Sequence, residues 1–322
     1  GIFKSLKSLK TKIMKSVIIT GANRGIGLDT ALAFGRAGYK VFATMRNPDA
    51  ALSLKEKAKE ASLDISLMKM DVNSDTSVSQ CIQAILDKNG SVDVLVNNAG
   101  IERHGAIEEM DISVFKEVME TNYFGVIRCV QAVLPSMRAN KNGCIVNISS
   151  VAGTISNSPL APYSASKFAL EAVSEALAQE VKPFNIKVKL VKPGIINTDM
   201  ARDIQHAEPN SNYPQSFRFG GMFRASLEHP TSPTLVADKI LEVAQSSDWE
   251  FRHPVGPDSI PFLEWRASMT DEQRVDWNAQ NDEDWYRAVE ESFGLDARLK
   301  VYIGLFIKNL AILKKSQGFA II

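Results

Sequence analysis

Short apolar runs at Val17–Thr20, Lys40–Ala43, Ile65–Met68, Val92–Val96, Cys144–Ile148 and Ile186–Val191 alternate with helical apolar spacing at Ile26–Ala37, Ala50–Ala61, Val78–Asn89, Val114–Ala139 and Tyr163–Val181. Such alternation predicts a parallel sheet with helices on both faces. Ligands of such a sheet bind beyond the carboxyl ends of its strands. Gly21, Asn97, Ser150 and Pro193 all fall just there, so residues distant in sequence are expected to share one site.

The first strand runs into Thr20–Gly27, TGANRGIG, and on into a helical pattern. Gly21 permits a tight turn, Gly25 lets backbone approach a phosphate, and Gly27 lets helix and strand pack closely, so that a pyrophosphate can sit on the helix N-terminus. The spacing is GxxxGxG, not the GxGxxG of the general dinucleotide fingerprint. Further along, Tyr163-Ser164-Ala165-Ser166-Lys167 sets a phenol and an ammonium four apart on one helical face, where they are neighbours. A tyrosine with a pKa near 10 is only about 0.1% ionised at pH 7, and an adjacent cation is expected to lower that pKa. The pairing suggests acid/base chemistry, although the same spacing also occurs on solvated helix faces.

Taken in order, these motifs resemble the short-chain dehydrogenase/reductase family. Thr20–Gly27 matches its glycine motif, Asn97-Asn98-Ala99-Gly100 its NNAG, Asn122 its helix asparagine, Ser150 its serine, Tyr163 with Lys167 its YxxxK, and Pro193-Gly194 with Thr198 its PG motif. The match runs from about Met14 to Thr198, with a last strand near Phe251–Val255. Ser150, not Ser149, stands thirteen positions before Tyr163, which is the family's usual spacing; Ser149 is then expected to serve the strand end or the cofactor. The resemblance implies a Rossmann-type doubly wound sheet of about seven strands. It also implies an alcohol/carbonyl oxidoreductase with Asn122, Ser150, Tyr163 and Lys167 as its catalytic set. Tyr163 would exchange the proton, Ser150 would hold the substrate oxygen, Lys167 would bind the nicotinamide ribose and lower the tyrosine pKa, and Asn122 would hold a water leading to solvent. Cofactor contacts are implied for Gly21, Asn23, Arg24, Gly25, Ile26, Gly27, Arg46, Asp71, Val72, Asn98, Ala99, Gly100, Tyr163, Lys167, Pro193, Gly194, Ile196 and Thr198.

The choice of dinucleotide is argued from charge. An acid at the end of the second strand would bind the adenosine ribose and repel a 2′-phosphate. That position is Met45, followed by Arg46, with Arg24 in the glycine loop. Guanidinium groups suit phosphate, so NADP(H) is expected over NAD(H).

The 322-residue chain, 45% hydrophobic, can bury one large core. Its 37 basic and 37 acidic residues cancel, which argues against a nucleic-acid surface. Cys81, Cys129 and Cys144 are an odd set without CxxC spacing, as suits a reducing, cytoplasmic setting. His104, His206, His229 and His253 lack metal-ligand spacing, so no metal is expected; His104, in the loop after NNAG, is a candidate for substrate contact. The expected organisation is a basic extension over 1–13, a Rossmann domain over 14–258 with a substrate loop at 199–230, and a helical extension over 259–322.

Gly1–Lys15 is basic and amphipathic and is read as an upstream extension in preference to a membrane anchor. The loop over Asp199–Pro230, carrying Tyr213, Phe217, Phe219, Met222 and Phe223, reads as a mobile apolar lid, followed by a helix capped at Thr231-Ser232-Pro233. Thr270–Glu291 reads as one or two surface helices, and the apolar run Val301–Leu313 is too short to span a bilayer. FRHPVGPD and ATMRNP resemble segments of relatives that act on retinoids and steroids, so the expected substrate is a medium-sized apolar alcohol, ketone or aldehyde. Ala165, Ala169, Ala172 and Ala176 would allow close helix approach, and a homodimer or homotetramer is expected, as in many relatives. The alternatives are a dinucleotide sensor or scaffold without turnover, and a lipid, retinoid or steroid dehydrogenase at a membrane surface.

Overall fold

A computed structural model describes residues 14–204 and 211–298. The expected strands form one sheet: β1 (Ser16–Thr20), β2 (Lys40–Met45), β3 (Ile65–Lys69), β4 (Val94–Asn97), β5 (Gly143–Ile148), β6 (Ile186–Pro193) and β7 (Arg252–Val255). Their order is 3-2-1-4-5-6-7, with every neighbouring pair parallel. The chain reverses direction across the sheet between β1 and β4, and this switch point opens the crevice in which ligands bind.

The helices are α1 (Gly25–Arg36), α2 (Leu52–Glu60), α3 (Asp75–Asn89), α4 (Ile112–Met119), α5 (Gly125–Asn140), α6 (Ala161–Val181), α7 (Asp199–Ile204), α8 (Gln215–Ser226), α9 (Pro233–Gln245), α10 (Ser259–Ala267), α11 (Asp271–Ala279) and α12 (Asp282–Phe293). Successive side chains along a strand point to opposite faces. Val17 and Ile19 of β1 accordingly join Leu32 and Phe34 of α1 and Val236 and Ile240 of α9 in one core. Ile18, between them, joins Ile82 of α3, Val133 of α5 and Leu170 of α6 in the other. With both faces covered, a strand can carry apolar residues on both of its faces, as Val17, Ile18 and Ile19 do in β1, which is why such segments read as apolar runs. The fold is a Rossmann-type doubly wound sheet with helices added at the C-terminal end.

One predicted helix differs. Val114–Ala139 is divided into α4 and α5 by a π-helical turn over Glu120–Phe124. Apolar periodicity cannot register one extra residue in a turn, and such turns mark functional positions; this one holds Asn122. The Asp199–Pro230 lid is largely helical in its described part, as α7 and α8. The cap expected before α9 is present, with Ser232 Oγ accepting from Thr234 N at 3.2 Å. Thr270–Glu291 is two helices, α11 and α12, and they are not confined to the surface. Trp285, Tyr286 and Val289 of α12 are buried in a third apolar cluster with Ile155, Phe219, Met222, Phe223 and Phe262. The four-way aromatic packing of Trp265, Trp277, Trp285 and Phe293, with ring centroids 4.9–5.9 Å apart, holds these helices together. No helix among the described residues is long and apolar enough to cross a membrane. The Gly1–Lys15 segment up to residue 13, His206 and Val301–Leu313 lie outside the described residues.

Candidate active site

The glycine turn is fixed by residues that the next strand brings to it. Thr20 Oγ1 accepts from Asn98 N and Ala99 N at 3.0 and 2.9 Å. Asn98 Nδ2 donates to the carbonyls of Thr20 and Gly21 at 2.9 and 3.1 Å. A Cβ on Gly27 would stand 2.3 Å from the Gly21 oxygen, and Gly21 itself has φ +66°, so neither position accepts a side chain. The first turn of α1 carries no acidic residue and no side-chain cap. Its N–H groups and positive dipole end are therefore suited to a dinucleotide pyrophosphate.

Along the same carboxyl edge of the sheet, at the far end of the cleft, Ser150 leads out of β5 and Tyr163 and Lys167 lie on α6. Ser150 Oγ accepts from Ala152 N at 3.1 Å and is hydrogen-bonded to the Tyr163 phenol. Tyr163 is half-buried on the cavity wall, and burial pushes its phenol up to about 12. The Ser150 hydrogen bond opposes that rise and the charge of Glu102 adds to it. Lys167 is not among the groups that move the phenol in this structure, where burial outweighs the Ser150 hydrogen bond. The Lys167 Nζ is 5.5 Å from the Tyr163 ring centroid and donates to the Ile148 carbonyl at 2.7 Å. Burial brings Lys167 down to about 8, against the pull of Glu171 one turn along.

Asn122 does not line the cavity. Its Oδ1 accepts from Ile101 N and its Nδ2 donates to the Ile101 carbonyl, both at 2.8 Å, and Nδ2 also donates to Ser166 Oγ at 3.0 Å. Both ends of the amide are engaged with protein, so the side chain braces the segment after NNAG against α6. Ser149 serves the strand end, as expected: its N donates to the Val191 carbonyl at 2.8 Å and its Oγ donates to Glu171 Oε1 at 2.6 Å. Glu171 is also bridged by Lys192 Nζ at 2.9 Å and Arg252 Nε at 2.8 Å. This buried ionic cluster ties β5, β6 and β7 to α6 directly behind the Ser150–Tyr163 pair. Sequence motifs gave no sign of it, since its members are brought together only by the sheet order.

One cavity of about 870 Å³ joins the two ends. Every expected cofactor contact lines it, as do Ser150, Tyr163 and Lys167. Gly194 passes so close to Asp258 that a Cβ would stand 2.0 Å from its carboxyl, and Asp258 Oδ2 accepts from Ile195 N at 2.8 Å. Where β2 reaches the cavity, Met45 closes the strand and carries no charge. Arg46 lines the cavity there, with Asn47, Ser53 and Lys57, three residues that motif reading missed. Arg24 is held across the cavity mouth by Asp199, at 3.3 Å. On the opposite side the wall is apolar: Phe219, Met222 and Phe223 of α8, with Phe262, Trp265, Trp277, Trp285 and Phe293 from the C-terminal helices. Tyr213 and Phe217, also expected in the lid, are not in this wall. Tyr213 hydrogen-bonds Glu108 instead. His104 is likewise absent from the lining and pairs with Glu102, which does line the cavity. The C-terminal helices were missed as site elements because no motif marks them.

Comparison with known proteins agrees with this geometry. The short chain dehydrogenase family model matches residues 15–209. A 3-ketodihydrosphingosine reductase of Bacteroides thetaiotaomicron is 36% identical over 245 residues, covering 75% of this chain and 87% of the relative. Bovine retinol dehydrogenase 8 is 39% identical over 204 residues, 62% of this chain and 65% of that protein. A variant of actinorhodin polyketide ketoreductase solved with NADPH superposes with a TM-score of 0.69 at 28% identity, over 76% of this chain and 97% of that one. On sheet order, cavity and relatives together, the chain belongs to the short chain dehydrogenase family and is an alcohol/carbonyl oxidoreductase that uses a nicotinamide dinucleotide.

Proposed function

We propose that the chain is an NADP(H)-preferring oxidoreductase of medium-sized apolar ketones, aldehydes and alcohols, with Tyr163 as its acid and base. The observation that carries this reading is the opening of Ser150, Tyr163 and Lys167 onto the cavity that also contains the uncapped glycine turn. When bound, the nicotinamide supplies the hydride. Tyr163, kept protonated by burial, gives its phenolic proton to the carbonyl oxygen. Ser150, whose Oγ already accepts from Ala152 N, has its hydroxyl proton available for the same oxygen. Lys167, anchored on the Ile148 carbonyl, holds positive charge below the phenol as it loses its proton. Asn122 positions the Ile101 backbone beside them. Arg46 and Lys57 supply the cations for a 2′-phosphate, with no carboxylate at Met45 to repel it. The aromatic wall suits an apolar substrate, in keeping with relatives named for 3-ketodihydrosphingosine and for retinol.

Residues 14–258 are read here as the dinucleotide-binding unit and the helices from 259 onward as part of the substrate wall. A screen of ketones, aldehydes and alcohols of graded length, followed by NADPH or NADH absorbance, tests the reading. Turnover should rise with apolar length and favour NADPH. Binding of dinucleotide without turnover of any carbonyl or alcohol would instead support a sensor or scaffold.

A further inference from the structure

The end of β6 meets the start of α10 through a carboxyl group that belongs to none of the dinucleotide motifs. Asp258 immediately precedes α10, the position at which an aspartate normally accepts from the first-turn N–H groups of its own helix. It makes no such cap. Its Oδ2 reaches instead across 63 positions of sequence to accept from Ile195 N at 2.8 Å. Its Oδ1 is buried without a hydrogen-bond partner among the described residues, and burial raises the carboxyl above its ordinary pKa. A carboxyl group kept dry with so few donors costs the fold stability, so its role lies in the segment that it grips.

That segment, Pro193–Ile195, lines the cavity. The chain around β7 holds it at three points. Gly194 N donates to the Val255 carbonyl at 3.1 Å, Ser259 Oγ donates to the Lys192 carbonyl at 2.9 Å, and Ile195 N donates to Asp258. The φ of Gly194 lies outside the left-handed region that favours glycine. A Cβ at this position would nevertheless stand 2.0, 2.5 and 2.8 Å from Oδ1, Cγ and Oδ2 of Asp258. Space and not backbone conformation thus keeps residue 194 a glycine, and the carboxyl fills that space. The helix that Asp258 introduces also carries Phe262 and Trp265 of the apolar wall, so one residue joins the substrate wall to the segment at the end of β6.

We propose that Asp258 is a positioning residue for the dinucleotide. Its carboxyl fixes the Ile195 peptide, and with it the course of Pro193–Ile195 along the cavity, and it is the reason that residue 194 is glycine. The proposal rests on the use of a nicotinamide dinucleotide, and it is independent of the preference for NADPH and of the substrate.

The test measures dinucleotide Kd by fluorescence titration, with the melting temperature in parallel, in the full chain and its variants. Removing the acceptor leaves the Ile195 N–H unpaired, which shifts the equilibrium that holds the segment by roughly 5- to 150-fold. Asp258→Ala should therefore raise the Kd for NADPH at least about fivefold. The Kd for NADH should rise by the same factor, because β6 is separated from β2, which leads to Arg46, by β1, β4 and β5. Asp258→Asn, which keeps an acceptor oxygen, should recover most of the affinity. Gly194→Ala should weaken binding as Asp258→Ala does and add little to it in the double variant, since both act on one contact. Four outcomes overturn the assignment: a lower melting temperature with unchanged Kd in Asp258→Ala, a loss confined to one dinucleotide, no recovery in Asp258→Asn, or additive effects in the double variant. Where Asp258→Ala does not fold, the other two single variants decide: weak binding by Gly194→Ala beside near-normal binding by Asp258→Asn supports the role, and equal Kd values overturn it. An unmodified protein that binds neither NADPH nor NADH would sink the dinucleotide reading itself, whereas the outcomes above sink the role of Asp258 alone.

Discussion

Burial acts in opposite directions on Tyr163 and Lys167: the phenol rises to about 12 and the ammonium falls to about 8. Both shifts disfavour charge in a dry site, and they leave Tyr163 protonated across the neutral range, in the state needed to reduce a carbonyl. Tyr163→Phe keeps the ring and removes that proton, so kcat should fall by a factor of roughly 100 or more, with NADPH affinity, measured by fluorescence titration, little changed. Near-normal turnover by the Phe variant would show that Tyr163 is not the acid. At the adenosine end, Arg46→Ala should weaken NADPH by roughly 10- to 150-fold, the scale of one charge-assisted hydrogen bond, and leave NADH almost unaffected. Equal kinetic efficiency of the unmodified protein with the two dinucleotides would remove the basis for this expectation. Arg24, turned toward Asp199, should matter less than Arg46 in the same assay.

The elements that differ most from expectation are those with a site to shape. A continuous helix over Val114–Ala139 would satisfy its own backbone; the π turn at Glu120–Phe124 instead aims Asn122 at the Ile101 backbone. Likewise α8 presents Phe219 and Phe223 to the cavity, packed at 5.0 Å between centroids, and leaves Phe217 partly buried against the same apolar cluster but outside the cavity lining. Replacing Phe219 and Phe223 together with Ala should raise KM for bulky apolar carbonyls and spare small ones, because what is lost is apolar contact and not chemistry. Phe217→Ala should have little effect on either class. An equal loss for large and small substrates in the double variant would mean that α8 only supports the fold. The acid cluster around Glu171 is the corresponding device behind the catalytic pair: it joins three strands to α6 through Lys192, Arg252 and Ser149.

For the molecule as a whole, the C-terminal helices complete a cavity that the sheet leaves open on one side. Trp265, Trp277, Trp285 and Phe293 all reach it from beyond β7. Arg274 of α11 binds the Ser156 carbonyl at 2.5 Å, fastening this wall to the loop that follows Ser150. The outer face of α6 and the start of α5 remain uncovered in the single chain: Phe168 and Phe124 are each 44% exposed, beside the exposed Ala165, Ala172 and Ala176. An apolar, small-residue face of this kind suits a second copy. Light scattering at micromolar concentration should accordingly give at least twice the 35.4 kDa chain mass, and Phe168→Asp should shift it toward the monomer. A single species of one chain mass in the unmodified protein would refute the assembly.

The amino-acid sequence by itself determined the sheet, the glycine turn and the membership of Ser150, Tyr163 and Lys167 in one site, because each depends on local periodicity or on short fixed spacing. Thr20, Asn98 and Gly27 belong to the same legible set, since a tight turn tolerates few residue types. Tertiary structure alone decided what surrounds them. Whether Lys167 or burial governs the Tyr163 phenol depends on enclosure by residues from several elements. Glu102, Lys57 and the tryptophans of the C-terminal helices carry no motif, and they meet the site only because the chain packs distant segments around one crevice. Charge balance and apolar walls arise from that packing, which pattern and spacing along the chain do not encode.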